Sequence, residues 1–283
     1  MKKNIGIIGK GFVGSAVAHG FSSACGYDCV IRVYDSNPML STHSLDETIN
    51  ESNFLFISVP TPSNSNGSVN LDILYNCIND IQCNLNGNNP VILIRSTVVP
   101  GTTQALSDKF PDLNMVFNPE FLTERSANFD FINQARFVLG GDSSSTNVVA
   151  ELYRDRFGSQ IPIIETTYET AELIKYMCNT YFATKISFLN EMKLIADQVN
   201  VNWDDAMNGF LSDGRIGHSH TKIPGHDGKK GFGGSCFPKD VQAIIHYAKS
   251  LDIDLRTLEG AWKTNVKIRP EKDWEMLKGR SVT

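Results

Sequence analysis

No apolar run in the chain approaches the roughly 18 residues that a membrane-spanning helix needs. The start, Met1-Lys2-Lys3-Asn4, is not followed by the uninterrupted apolar segment of a secretory signal. The six cysteines include no CxxC and no Cys/His grouping at zinc spacing. That pattern argues against a metal site and for reduced thiols in a cytoplasmic protein. An excess of positive charge is missing too: 26 Lys and Arg face 31 Asp and Glu, for a formal net charge of −5. Neither a nucleic-acid surface nor a polybasic membrane patch is expected from that balance. No internal repeat of solenoid period is present. What remains is a soluble, intracellular chain of 283 residues, with room for two domains and a sizeable core.

The first 165 residues alternate short apolar runs with helical patterns, as a doubly wound parallel sheet covered on both faces requires. Strands are expected at Asn4 to Ile8, Cys29 to Tyr34, Phe54 to Val59, Val91 to Ile94, Met115 to Phe117, Phe137 to Leu139 and Pro162 to Ile164. The first runs into Gly9-Lys10-Gly11-Phe12-Val13-Gly14, which is G-x-G-x-x-G between a strand and a helix. Gly9 makes the tight turn, Gly11 lets a pyrophosphate approach backbone, and Gly14 permits close packing of helix on strand. The second strand ends in Asp35, twenty-one residues after Gly14. A carboxylate there accepts from ribose hydroxyls and repels a 2′-phosphate, which favours NAD over NADP. Ligands in such sheets lie beyond the carboxyl ends of the strands, where Thr61, Thr97, Glu120 and Glu124 stand. Ser63 to Asn70 reads as a surface loop.

The remainder, residues 166–283, reads as a helical domain built on one long helix from Glu169 to about Val199, opened by a capping box from Thr166 to Glu169. Lys175 and Asn179 lie four apart, hence on one face. Further helices are expected from Asn202 through Leu211, from Val241 to Leu251 and from Leu255 to Lys267. The second half is organised around Gly231-Phe232-Gly233-Gly234-Ser235-Cys236-Phe237-Pro238-Lys239-Asp240. Three glycines in four residues let backbone approach a ligand, and Cys236 follows them just before a helix start, where the dipole favours a thiolate. Cys25, Cys29, Cys77, Cys83 and Cys178 lack such flanks and read as core fillers. His218, His220 and His226 read as solvated loop histidines.

Together these motifs resemble the UDP-glucose/GDP-mannose dehydrogenase family of NAD-dependent enzymes, which oxidise a sugar nucleotide's primary alcohol twice, to a uronic acid. The resemblance rests on the glycine loop, Val59-Pro60-Thr61-Pro62, Ser96-Thr97-Val98, Asn118-Pro119-Glu120-Phe121-Leu122, Lys175-x-x-x-Asn179, Asn190-Glu191, Arg215-Ile216-Gly217 and the cysteine stretch. It implies a Rossmann-like cofactor domain, a homodimer formed through the long helix, and a role in making polysaccharide precursors. It further implies that Cys236 captures an aldehyde as a thiohemiacetal and carries the acid as a thioester. Lys175 and Asn179 would stabilise oxyanions, Glu120 would be the base for thioester hydrolysis, and Asp240 would position Lys175 and a water. Phe12, Val13, Pro60, Thr61, Thr97 and Glu124 would line the cofactor with the three glycines and Asp35. Phe121, Leu122, Arg215, Phe232 and Gly233 would meet the sugar nucleotide, most simply UDP-glucose; no metal is implied. Family members continue into a second nucleotide-binding domain, whereas this chain stops at Thr283, so a short form is expected. The stretch Pro224 to Lys230 is longer than the family's common form. A two-electron β-hydroxyacid dehydrogenase and a non-catalytic dinucleotide-binding module are the competing readings.

Overall fold

The computed structural model describes residues 3–283, which divide into two compact units. One comprises the chain up to Thr61 together with Leu71–Lys175; the other comprises Pro62–Asn70 and Tyr176–Thr283. The division falls inside the long helix, ten residues beyond the 165/166 boundary read from sequence.

The first unit holds one seven-stranded sheet: β1 (Lys3–Ile8), β2 (Cys29–Tyr34), β3 (Phe54–Ile57), β4 (Val91–Ile94), β5 (Asn114–Phe117), β6 (Phe137–Gly140) and β7 (Ile163–Thr166). Their spatial order is β2-β1-β3-β4-β5-β6-β7, so the order reverses at β1 and opens a crevice beyond its carboxyl end. β3 and β4 are buried along their whole length, and their period of two divides the side chains between two cores. Phe54, Phe56, Val91 and Leu93 join one core with α1 (Phe12–Gly20), α5 (Ala127–Ile132) and α6 (Ser143–Phe157). Leu55, Ile57, Ile92 and Ile94 face the other, with α2 (Leu45–Asn50), α3 (Asp72–Asn84), α4 (Thr102–Lys109) and the first turns of α7 (Tyr168–Gln198). This is the doubly wound arrangement expected, with one difference: β5 and β6 pair antiparallel, through Phe117 and Gly140 alone. The Asn118 side chain continues the ladder, donating from Nδ2 to the Val138 carbonyl at 2.9 Å.

The capping box expected at Thr166 does not form, because Thr166 is the last residue of β7. Thr167 takes the role, its Oγ1 accepting from the Thr170 N–H at 3.3 Å. The opening turns of α7 are fastened to the sheet. Tyr168 Oη donates to the Met115 carbonyl at 2.9 Å, and Ala171 is buried in the second core. Glu172 accepts from the backbone N–H groups of Gly101 (2.6 Å) and Thr103 (2.8 Å), capping α4 with a carboxylate.

In the second unit the rest of α7 packs with α8 (Trp203–Leu211), α9 (Phe237–Ser250) and α10 (Arg256–Ile268). Asn202 caps α8 as expected, accepting from Asp204 N and Asp205 N. Helix α9 begins four residues before the expected Val241, directly after Cys236. Ser63 to Asn70 is no free surface loop: Ser63 is buried, donates its N–H to the Ser281 carbonyl and accepts from Thr283 N, both at 2.9 Å.

Glu172 carries a testable consequence. Burial pushes its carboxyl up to about 7, against the pull of the two N–H groups it accepts from. A folded pKa above the unfolded one means a contribution to stability that is whole below about 4.5 and lost as pH rises through about 7. Denaturant unfolding of wild type and Glu172→Gln across that window should show their stability difference drifting against the wild type by on the order of 1–3 kcal/mol. Parallel pH profiles would contradict it.

Candidate active site

The glycine loop leaves β1 at the crevice. Gly9 sits at φ +92°, and a Cβ there would lie 2.7 Å from the Ser58 carbonyl oxygen, so turn and close packing both demand glycine. At Gly14 a Cβ would fall 2.0 Å from the Gly9 carbonyl oxygen. Gly11 differs: its backbone is extended (φ −69°), and nothing lies within 4 Å of a Cβ built there. Neither fold nor packing asks for glycine at this position, whereas a phosphate resting on the first turn of α1 would. Asp35 folds towards the same loop. Its Oδ2 accepts from Lys10 N at 2.6 Å and its Oδ1 from Asn37 N at 2.8 Å, leaving two lone-pair positions for a ribose diol. The residues present therefore fit a dinucleotide. Phe12 and Glu124, both expected at the cofactor, line one cleft of about 430 Å³ together with Ser15 and Arg125. Thr61 Oγ1 donates to the Thr97 carbonyl at 2.8 Å and Ser96 Oγ to the Val59 carbonyl at 2.6 Å, tying together the segments that leave β3 and β4. Val13 is half-buried on α1, and Pro60 is exposed.

Beyond β5, Glu120 and Lys175 form a buried ion pair. Lys175 Nζ donates to Glu120 Oε1 at 2.7 Å and to the Glu120 carbonyl at 2.6 Å, and Glu120 Oε2 accepts from Leu122 N at 2.6 Å. The two side chains are 3% and 6% exposed, so a surface lysine is excluded. The same ammonium lies 5.6 Å from the centre of the Phe121 ring, whose attraction adds to that of the carboxylate. Under this turn lies a network that sequence reasoning missed. Arg95, buried at the end of β4, donates from Nη1 to Asn118 Oδ1 at 2.6 Å, and Tyr153 Oη donates to the same oxygen at 2.5 Å. Burial pushes the Tyr153 phenol up to about 12, with Arg95 pulling the other way. Only the position of Arg95, directly after the apolar run Val91 to Ile94, could have signalled it.

The second unit holds the cysteine. Cys236 forms no disulfide and is itself the residue capping the start of α9; its Sγ lies 3.7 Å from Ser235 Oγ. One turn on, the buried Asp240 accepts from Asn179 Nδ2 on Oδ2 at 2.6 Å and from Lys239 Nζ on Oδ1 at 2.5 Å. Within the unit Asp240 thus orients Asn179, and Lys239, unassigned from sequence, supplies its counter-charge. On α7, Asn179 stands one turn after Lys175.

The glycine cradle is held from within the same unit. Asn265 Oδ1 accepts from Phe232 N at 2.7 Å and Asn265 Nδ2 donates to Phe232 O at 2.9 Å, while the Phe232 ring is buried against Ala183 and Val241. Phe232 is therefore packed in this unit's interior, with its N–H and carbonyl both bonded to Asn265. A Cβ at Gly231 or Gly233 would collide with this chain's own side chains, Asn265 Oδ1 and the Arg269 guanidinium respectively. Arg215 is 88% exposed and paired with Asp213, its Nε donating to Oδ1 at 2.9 Å. His220 is no plain solvated histidine, since it stacks on Phe182 with ring centres 4.2 Å apart. Lys229 pairs with Glu271 and Lys230 with Asp197. Of the five other cysteines, Cys29 and Cys77 pack against the two sheet cores, Cys25 and Cys178 are half-buried, and Cys83 is exposed.

Residues 27–156 match the NAD binding domain, and residues 169–267 the central domain, of the UDP-glucose/GDP-mannose dehydrogenase family. The chain is 37% identical over 228 residues to a UDP-glucose 6-dehydrogenase of Rhizobium meliloti, covering 77% of this chain and 51% of that protein. It spans about half the length of the curated relatives it matches. A UDP-glucose dehydrogenase from Pyrobaculum islandicum superposes with a TM-score of 0.84 at 27% identity, over 98% of this chain and 71% of that one. A 3-hydroxyisobutyrate dehydrogenase from Mycobacterium tuberculosis shares the fold, with a TM-score of 0.74 at 16% identity over 96% of this chain and 95% of that one. With both family domains matched in order, the chain belongs to the UDP-glucose/GDP-mannose dehydrogenase family.

Proposed function

We propose that the protein oxidises the primary alcohol of a nucleotide sugar, most simply UDP-glucose, to the uronic acid in two two-electron steps. In this reading residues 1–165 hold NAD, and residues 166–283 carry the nucleophile and the platform for the sugar nucleotide. The observation that carries the proposal is Cys236 at the start of α9, outside any disulfide, with Asp240 and Asn179 paired one turn beyond it. Bound NAD supplies the hydride acceptor for both oxidations.

The chain's own residues divide the remaining work. After the first oxidation, Cys236 Sγ adds to the aldehyde carbon, and the carbonyl oxygen becomes an oxyanion. The Lys175 ammonium and the Asn179 amide are the donors that meet this charge, a cation and a dipole fixed in advance by Glu120 and Asp240. The adduct is a thiohemiacetal, held covalently until its second hydride departs and leaves a thioester. Glu120 then takes a proton from water, whose oxygen bonds to the acyl carbon while the C–S bond breaks and frees the acid and the Cys236 thiolate. Thr97 would serve the nicotinamide end of NAD when it is bound. Phe121, Leu122, Arg215 and the backbone of Gly233 serve the sugar nucleotide.

The partner is a second copy of the chain. Leu173, Met177, Tyr181, Phe188, Met192 and Ile195 recur at helical spacing and fall on one face of α7, and all six are exposed. A row of this length left in water is unfavourable and fits a helix-to-helix dimer seam. Among the described residues no helix is long and apolar enough to cross a membrane. Six cysteines outside disulfides suit a reducing compartment such as the cytoplasm.

Supplied with NAD and UDP-glucose, the enzyme should form two NADH per uronic acid. Cys236→Ser should lower acid formation by about 10³-fold or more. One NADH per alcohol with Cys236→Ala fully active would favour the two-electron hydroxyacid reading, and no turnover with any nucleotide sugar would favour a binding module. Glu120→Gln should slow steady-state turnover by about 10²- to 10⁴-fold while an acyl adduct builds up on Cys236, visible by mass spectrometry. Tyr181→Glu should convert a dimer into a monomer by light scattering; an unchanged mass would move the seam elsewhere.

A further inference from the structure

The stretch that is long for the family, Pro224 to Lys230, closes on itself as a compact turn. Gly225 N donates to Lys229 O at 2.8 Å, Gly228 N to Gly225 O at 3.0 Å, and Lys229 N to Asp227 Oδ1 at 3.0 Å. The other oxygen of Asp227 points back into the unit and accepts from Arg269 Nη2 at 2.7 Å. Asp273 holds the same guanidinium, accepting from Nε at 2.8 Å and from Nη2 at 2.7 Å. Arg269 is 2% exposed, while Asp227 and Asp273 are about one-third exposed, so an inner cation is gripped by two outer carboxylates.

What this guanidinium supports is the loop that presents Cys236. A Cβ on Gly233 would lie 2.5–2.7 Å from Arg269 Nη2, Cζ and Nε, so the loop backbone rests directly on the planar group. The first half of the loop has hydrogen bonds of its own: Gly231 N to Asn190 Oδ1 at 3.3 Å, and Phe232 to Asn265 through N and O. Gly233, Gly234 and Ser235 differ. Among the described residues no backbone hydrogen bond fixes any of these three, and Gly234 sits at φ +73°. Two adjacent glycines without such bonds have wide conformational freedom, and the position of the next thiol but one depends on removing it.

We propose that Arg269, gripped by Asp227 and Asp273, is a positioning residue for Cys236, and that the turn 224–230 is the strap that locks it in place. The inference rests on Cys236 being the nucleophile. Arg269 touches no reacting atom; it narrows the conformations of Gly233 to Ser235, so the thiol starts from one geometry. Burial works against ionisation of Asp227, yet Arg269 and the Lys229 N–H hold its pKa below the ordinary carboxylate value; Arg269 does the same for Asp273, so the grip persists through neutral pH. Arg269→Lys keeps the charge and loses the flat, forked contact; Asp227→Asn leaves the guanidinium and slackens the strap from its exposed end.

The test is the rate at which iodoacetamide alkylates Cys236 in the folded full-length protein between pH 6 and 9, read by mass spectrometry of its peptide, with Cys83 as internal standard and the urea-unfolded chain as reference. In wild type, Cys236 should react faster than in the unfolded chain. Arg269→Lys and Asp227→Asn should each slow it by about tenfold, since a small misplacement is costly, with Cys83 unchanged; Asp227→Glu should restore most of the rate. Should both variants keep the wild-type rate and pH profile while only Tm falls, the residues are structural and the positioning role is wrong. A wild-type Cys236 no faster than in the unfolded chain would remove the nucleophile itself, and this inference with it.

Discussion

Charge held out of water, and the partners that make it tolerable, govern this molecule. Taking an ammonium or a carboxylate out of water costs several kcal/mol for each ion unless it is paired and hydrogen-bonded. Lys175, Glu120, Lys239 and Asp240 are all nearly inaccessible, and each has such a partner: Lys175 with Glu120, and Lys239 with Asp240, which also holds Asn179. Removing one member strands the other. The same pairing orients Lys175 and Asn179, so stability and the placing of these side chains depend on one set of contacts.

Helix α7 is where these contacts converge. Its first turns belong to the sheet unit, through Tyr168, Ala171 and Glu172, and its remaining turns to the helical unit, through Ala183, Ser187 and Asn190. Lys175 and Asn179 lie one turn apart where membership changes. A continuous α-helix fixes the rise and rotation between two such residues, so the spacing of Lys175 and Asn179 is set by backbone geometry and not by a loop. The cysteine is served differently. Its loop is glycine-rich and flexible by composition, and Asn190, Asn265 and Arg269 supply the rigidity from outside.

The cofactor half and the cysteine half carry unequal diagnostic weight. A dinucleotide loop on a doubly wound sheet is shared by proteins of many activities, and the hydroxyisobutyrate dehydrogenase likeness shows that this fold extends beyond sugar nucleotides. In the proposed reaction it is the cysteine at the head of α9 that separates a four-electron chemistry from a two-electron one, because only the former must hold an aldehyde between oxidations.

Local pattern alone determined the strands, the nucleotide loop, Asp35, the long helix and the candidacy of Cys236, because each is written in neighbouring residues: a period of two or 3.6, a glycine spacing, a helix start. Tertiary structure decided which charges are buried and against what. Lys175 reads as a surface lysine until Glu120, fifty-five positions earlier, meets it. Arg95 with Asn118, Glu172 with the start of α4, and Arg269 with Asp227 join residues 23 to 71 positions apart. A side chain's meaning in such a pair lies in its partner, and no local window holds both. The burial of Phe232 has the same origin, since only the folded chain brings Asn265 to its backbone.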